Sequence, residues 1–115
     1  MEEKIKKAFE IANYMSTLAE QKRIIFEEFQ QNLVYFFNGA TFVVSKELIN
    51  YVKTLIDMGQ HDAVLIDDNK IPVDISNLSE FLERILNTYT QATNQYYTKY
   101  QQMKKNRSVE GLLDL

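Results

Sequence analysis

A chain of 115 residues with a formal charge of −3, 45% hydrophobic residues, seven Tyr, seven Phe and no Cys fits one domain with a real core. That composition excludes disorder, which needs low hydrophobicity and high net charge, and it excludes a disulfide scaffold or a thiolate metal site. The acidic balance weighs against nucleic acid or an anionic membrane as partner, since both reward a basic surface.

Met1-Glu2-Glu3-Lys4 runs straight into a helical pattern with no apolar leader core behind it. No apolar run approaches the length that spans a bilayer, so the expectation is a soluble, cytoplasmic protein with no membrane partner. Over residues 3–36, Ile5, Ala8, Ala12, Met15, Ala19, Phe26, Phe29, Leu33 and Phe36 recur at steps of three and four, broken once at Lys22. This predicts one helix on the order of 50 Å long, with Asn38-Gly39 as its left-handed stop. Ile11, Leu18 and Ile25 run beside the stripe at steps of seven and widen it. The widened face exceeds what one antiparallel helix would bury, which implies a further partner, a second copy included.

Thr41-Phe42-Val43-Val44 reads as a strand. Ser45 then reads as an N-cap, with Val44 and Ile49 as a hydrophobic staple. The helix it opens carries Leu48, Ile49, Val52, Leu55 and Ile56 on one face and ends at Gly59. Ala63-Val64-Leu65-Ile66 and Ile71-Pro72-Val73-Asp74-Ile75 flank the polar turn Asp67-Asp68-Asn69-Lys70, a hairpin signal, and Pro72 places its strand at an edge. Asn77 with Glu80 resembles a capping box. The helix behind it keeps the three-four rhythm through Leu78, Leu82, Ile85, Tyr89, Ala92, Tyr96 and Met103 and reaches about Lys105.

The predicted fold is α+β. Two long antiparallel helices form a coiled-coil-like stalk, with a short helix and a small antiparallel sheet (a hairpin plus one strand) at one end. Residues 1–107 make a single domain and 108–115 a short C-terminal tail. This arrangement gathers Lys4, Lys6, Lys7, Lys99, Lys104, Lys105 and Arg107 into a basic tip, and leaves Asp57, Asp62, Asp67, Asp68 and Asp74 at the opposite end.

None of these residues specifies a reaction. The acidic hairpin lacks the spaced oxygen ligands of a calcium loop, and Asp and Asn favour turns anyway, so Asp67, Asp68 and Asp74 read as solvated turn and surface residues. His61 is the sole histidine and sits in a polar loop, too little for a catalytic triad or zinc site. No catalytic, cofactor-binding or metal-binding residue is assigned. The run from Tyr96 through Arg107 interleaves aromatics with bases, as single-stranded nucleic acid would require. Yet Tyr96 and Tyr100 lie one turn apart, where packing is the usual reason. Tyr97 and Tyr100 cannot both fall on the seam, and the tail ends in leucines around one acid. The residues assigned to partner binding are therefore Tyr97, Tyr100, Lys104, Lys105, Arg107, Leu112, Leu113 and Leu115.

Ala92-Thr93-Asn94-Gln95-Tyr96-Tyr97, Lys104-Lys105-Asn106-Arg107-Ser108-Val109 and the Leu112-Leu113-Asp114-Leu115 ending resemble small uncharacterised proteins of T-even-like marine bacteriophages. The resemblance covers under a third of the chain and carries no activity and no functional residues. It implies expression inside an infected bacterium, in a virion, assembly or host-takeover role. The functional expectation is a non-enzymatic protein–protein interaction module, homodimerisation included. The alternative is a nucleic-acid-associated regulator using the basic tip.

Overall fold

The computed structural model describes residues 1–106 in full and the backbone as far as residue 114. Helix α1 (Glu2–Asn32) is followed by strands β1 (Val34–Phe37) and β2 (Ala40–Val43), helix α2 (Lys46–Asp57), strands β3 (Ala63–Ile66) and β4 (Pro72–Ile75), and helix α3 (Leu78–Asp114). The class is α+β, with two long helices and small antiparallel sheets. Two compact units make up the chain, Met1–Phe29 with Gln95–Leu115, and Gln30–Asn94.

The unit of residues 30–94 holds the core. β1 and β2 pair antiparallel with Tyr35 opposite Phe42 and Phe37 opposite Ala40; β3 and β4 pair with Ala63 opposite Ile75 and Leu65 opposite Val73. Each of these pairs points inward, while Phe36, Val43, Val64 and Ile66 alternate outward and are exposed, as a two-residue period demands. The inward residues pack with Val44, Val52, Leu78, Phe81 and Ile85 into one cluster, each of these five no more than 1% exposed.

Two expectations change here. The first helix stops at Asn32, so Phe36 is not helical, and the strand read at 41–44 has a partner in β1. Asn38 (φ 47°) and Gly39 (φ 81°) are the two central residues of that hairpin turn rather than a helix stop. Two adjacent positive φ values are what a type I′ turn needs, and Asn-Gly supplies them at the lowest steric cost. A Cβ at Gly39 would meet no atom within 4 Å, so the cost of Gly39→Ala is purely conformational. It should lower stability by about 1 kcal/mol, read as a shift in urea midpoint at unchanged slope.

The ends of the shorter elements follow local chemistry. Ser45 accepts the Leu48 N–H (3.1 Å) as N-cap of α2. At the other end, Gly59 N–H donates to the Ile56 carbonyl and Gln60 N–H to that of Leu55, with Gly59 at φ 89°. That pair of bonds is a Schellman stop. Asn77 Oδ1 accepts the Glu80 N–H at the start of α3 (3.0 Å), but the Glu80 carboxylate goes to Arg84 instead of closing the box.

The acidic turn is a structural joint. Asp67, 4% exposed, accepts three backbone N–H groups: Asn69 and Ile71 within its own turn, and Thr41 of β2 at 3.1 Å. Asp68 accepts the Val43 N–H and donates its own to the Thr41 carbonyl. The free edge of β2 is therefore satisfied by the turn of the other hairpin. Hydrogen bonding from the Ile71 amide, aided by those of Thr41 and Asn69, holds the Asp67 carboxyl below its ordinary range despite burial. Asp67 is thus neither solvated nor a surface residue, contrary to the reading from sequence.

Candidate interaction surface

Among the described residues, the unit of residues 1–29 and 95–115 is built from α1 and α3, so its chemistry depends on which faces of the two helices meet. On α1 the partly buried positions are Tyr14, Leu18, Gln21, Ile25, Glu28 and Phe29, the first five spaced four, three, four, three, and every residue before Tyr14 is exposed. On α3 the corresponding residues are Tyr96, Lys99, Tyr100 and Met103, of which Met103 is 8% exposed. Phe29 stacks on Tyr96 with ring centroids 4.9 Å apart, and Phe26 lies 5.9 Å from the same ring. Lys99 Nζ pairs with Glu28 Oε1 one turn further along. Further still, Gln21, Ile24 and Ile25 share an open groove of about 480 Å³ with Gln102, Met103 and Asn106. Residue numbers rise on one helix as they fall on the other, so the helices pack antiparallel.

This seam shares only Phe26 and Phe29 with the stripe expected from sequence. Elsewhere it follows Leu18 and Ile25 and the polar row beside them, through Tyr14, Gln21 and Glu28. The part of the predicted stripe from Ile5 to Ala19 lies about a third of a turn away and faces outward. Ile5 and Met15 are each 56% exposed, with Ala8 and Ala12 exposed between them and Ala19 beyond. Phe9, 67% exposed, flanks this face on one side, and Ile11, 47%, on the other. No residue of helix α1 is fully buried. A continuous apolar strip about 20 Å long exceeds the scattered single exposures of an ordinary surface.

The residues assigned from sequence fall differently. Tyr97 is 67% exposed and lies off the seam. Tyr100 is partly buried, edge-on to Tyr96 with centroids 6.3 Å apart. Lys104 and Lys105 are exposed. Arg107, Leu112, Leu113 and Leu115, and with them the expected tail 108–115, lie outside the fully described residues. Lys99, counted toward the basic tip, is engaged by Glu28. Of the predicted stripe, Phe26 and Phe29 do meet α3, while its members from Ile5 to Ala19 face outward. The seven-residue row through Ile11, Leu18 and Ile25 was the signal for two faces rather than one wide face.

Arg23, beside the strip, is held by near neighbours. Arg23 pairs with Glu20 and, at 2.6 Å, with Glu27. The guanidinium hydrogen bond pulls the Glu20 carboxyl below its ordinary range, and the two carboxylates push Arg23 upward. Both pairs are solvent-exposed along one helix, so they orient the side chains more than they stabilise the fold.

In the other unit, a groove of about 450 Å³ lies between the β1–β2 turn and the start of α3. Arg84 lines it, hydrogen-bonded by Glu80 and the Tyr35 hydroxyl, which raises its pKa and keeps it a fixed cation. Its polar groups thus serve one another.

Among the described residues, no His, Cys, Asp and Glu group has metal-binding geometry, and no helix is long and apolar enough to cross a membrane. No protein-family model matches the chain, and no curated protein or solved structure matches it significantly.

Proposed function

We propose that this chain is a non-enzymatic protein-interaction module that docks through the outer face of α1. The observation that carries the reading is the exposed apolar strip of Ile5, Ala8, Ala12, Met15 and Ala19. Interfaces favour large apolar side chains with few charges at their centre. The strip itself is uncharged from Ala8 to Ala19, and Glu10, the one charged residue in that stretch, falls on the opposite side of the helix. The resemblance of the final third to phage proteins adds a setting, the cytoplasm of an infected bacterium, and an accessory role in assembly or host takeover.

A charge at the centre of the strip tests the docking face. Met15→Glu keeps a strong helix former at an exposed position, so helicity and melting temperature should stay within about 2 °C of the parent. Burying an unpaired carboxylate in an interface costs several kcal/mol, so a partner co-purified with the parent protein should be lost at least tenfold. Undiminished capture by Met15→Glu would move the interaction off this face.

A further inference from the structure

We propose that two copies of this chain pair antiparallel through the outer face of α1, with Ala12 of one copy opposite Met15 of the other. This rests on the reading of that face as an interaction surface and names its occupant.

Side-chain size favours this register. In this register Ala12 faces Met15 and Ala8 faces Ala19, twice each by symmetry, while Ile5 meets the aliphatic stem of Lys22. Every Met thus lies against an Ala, and the small residues let the helix axes approach closely enough to fill the seam. A parallel pairing stacks each residue on its own copy. Met15 would crowd Met15, and Lys22 would meet Lys22.

Charge selects the same arrangement. On the flank carrying Phe9, Glu2 comes level with Arg23 of the second copy, and Phe9 lies against Ser16. Arg23 keeps donor capacity beyond its present bonds, since a guanidinium carries five N–H groups. A parallel pair would oppose each of these charges to its own sign. The one like-signed approach, Lys4 to Lys22, falls at the rim, where both ammonium groups extend into water.

The other flank completes the case. Ile11, 47% exposed, comes against Leu18 of the second copy, on the side leading to α3. The row through Ile11, Leu18 and Ile25 would then serve both seams. That explains why one helix carries two apolar rows separated by about a third of a turn. The result is a four-helix arrangement, α1 and the residues 95–106 of α3 from each copy, closed by a two-fold axis.

The absence of cysteine makes the register directly measurable. Ala8→Cys and Ala19→Cys chains, carrying tags of different size, are mixed and treated with a short bismaleimide. The expected product is the mixed dimer, in which position 8 of one variant is linked to position 19 of the other. It should exceed either self-linked product several-fold, and the parent chain should be a dimer in sedimentation equilibrium. Met15→Glu should sediment as a monomer of unchanged helicity. Preferential self-linking of each variant would overturn the antiparallel register. A parent chain that stays monomeric at its highest soluble concentration would overturn self-pairing itself. If such a monomer still captures a different protein that Met15→Glu loses, docking through α1 stands and the second copy is the wrong occupant. If capture is indifferent to Met15→Glu as well, both readings fall. The cross-linking result does not depend on Met15→Glu folding.

Discussion

Truncating Phe81 to Ala should destabilise the protein by about 3–5 kcal/mol, the range for removing a buried phenyl ring from a core that cannot collapse around the gap. Phe81 is 1% exposed and meets three aromatic rings edge-on: Phe42 with centroids 5.3 Å apart, Phe37 at 5.7 Å and Tyr35 at 6.0 Å. Such edge-to-face pairs place the positive rim of one ring on the negative face of another, a gain beyond burial alone. The three partners all come from the β1–β2 hairpin, and Phe81 comes from α3. Loss of the ring therefore uncouples the hairpin from the helix as well as opening a void. A domain of this size is stable by about 5–15 kcal/mol in all, so the variant loses a large share. Urea unfolding monitored by circular dichroism should show a much lower midpoint for Phe81→Ala and a smaller shift for Phe81→Leu, which retains most of the volume. A midpoint that does not move for Phe81→Ala would mean that the hairpin does not rest on this ring.

Replacing Asp67 should act as strongly by a different route, and with a pH signature. In Asp67→Asn the amide group can no longer accept at both ends. Either the Thr41 N–H of β2 or the Asn69 and Ile71 N–H groups then face a donor instead of an acceptor. Buried donors without acceptors cost more than the bond was worth, so the melting temperature at pH 7 should fall by roughly 10 °C. Because its backbone bonds lower the carboxyl pKa in the folded state, the Asp67 contribution is complete above the ordinary carboxylate range. It is lost as pH falls through the lowered folded value. The parent should therefore lose its advantage over Asp67→Asn progressively below about pH 4, and the two stability curves should converge in acid. Curves that stay parallel from neutral to strongly acidic pH would show that the carboxylate is not held ionised by the turn.

The comparison of Asp67 with Arg23 shows how similar charge patterns carry different weight. Arg23 has two carboxylate partners on one exposed helix face, and removing it should scarcely alter melting. Asp67 has only neutral amides around it, but they come from two separate hairpins and are shielded from water. Sequence separation and burial, rather than formal charge, decide which group matters.

Much of the fold was legible because it is set within a few residues. Ser45 and Asn77 cap helices by bonding backbone three positions away, and Gly59 closes α2 through its own positive φ. The hairpin around residues 67–70 and the two long helices are readable in the same way, from turn chemistry and from the three-four rhythm. None of these needs a distant partner to form.

Three features were decided only by contacts across the chain. Leu33 and Phe36 continue the helical rhythm of α1, yet the same stretch also alternates, and Tyr35 with Phe37 can bury against Phe81 only as a strand. Tertiary packing favoured the alternation, and Asn38-Gly39 became a hairpin turn. An acid in a polar turn looks the same in sequence whether it is solvated or buried. Asp67 is buried because the unpaired edge of β2, 26 residues away, supplies a donor. Helix α1 carries two apolar rows of equal periodicity, and periodicity cannot say which one meets α3. The pairing of Glu28 with Lys99 and the partial burial of Leu18 and Ile25 settle that choice, and Ile5, Ala12 and Met15 are left outward.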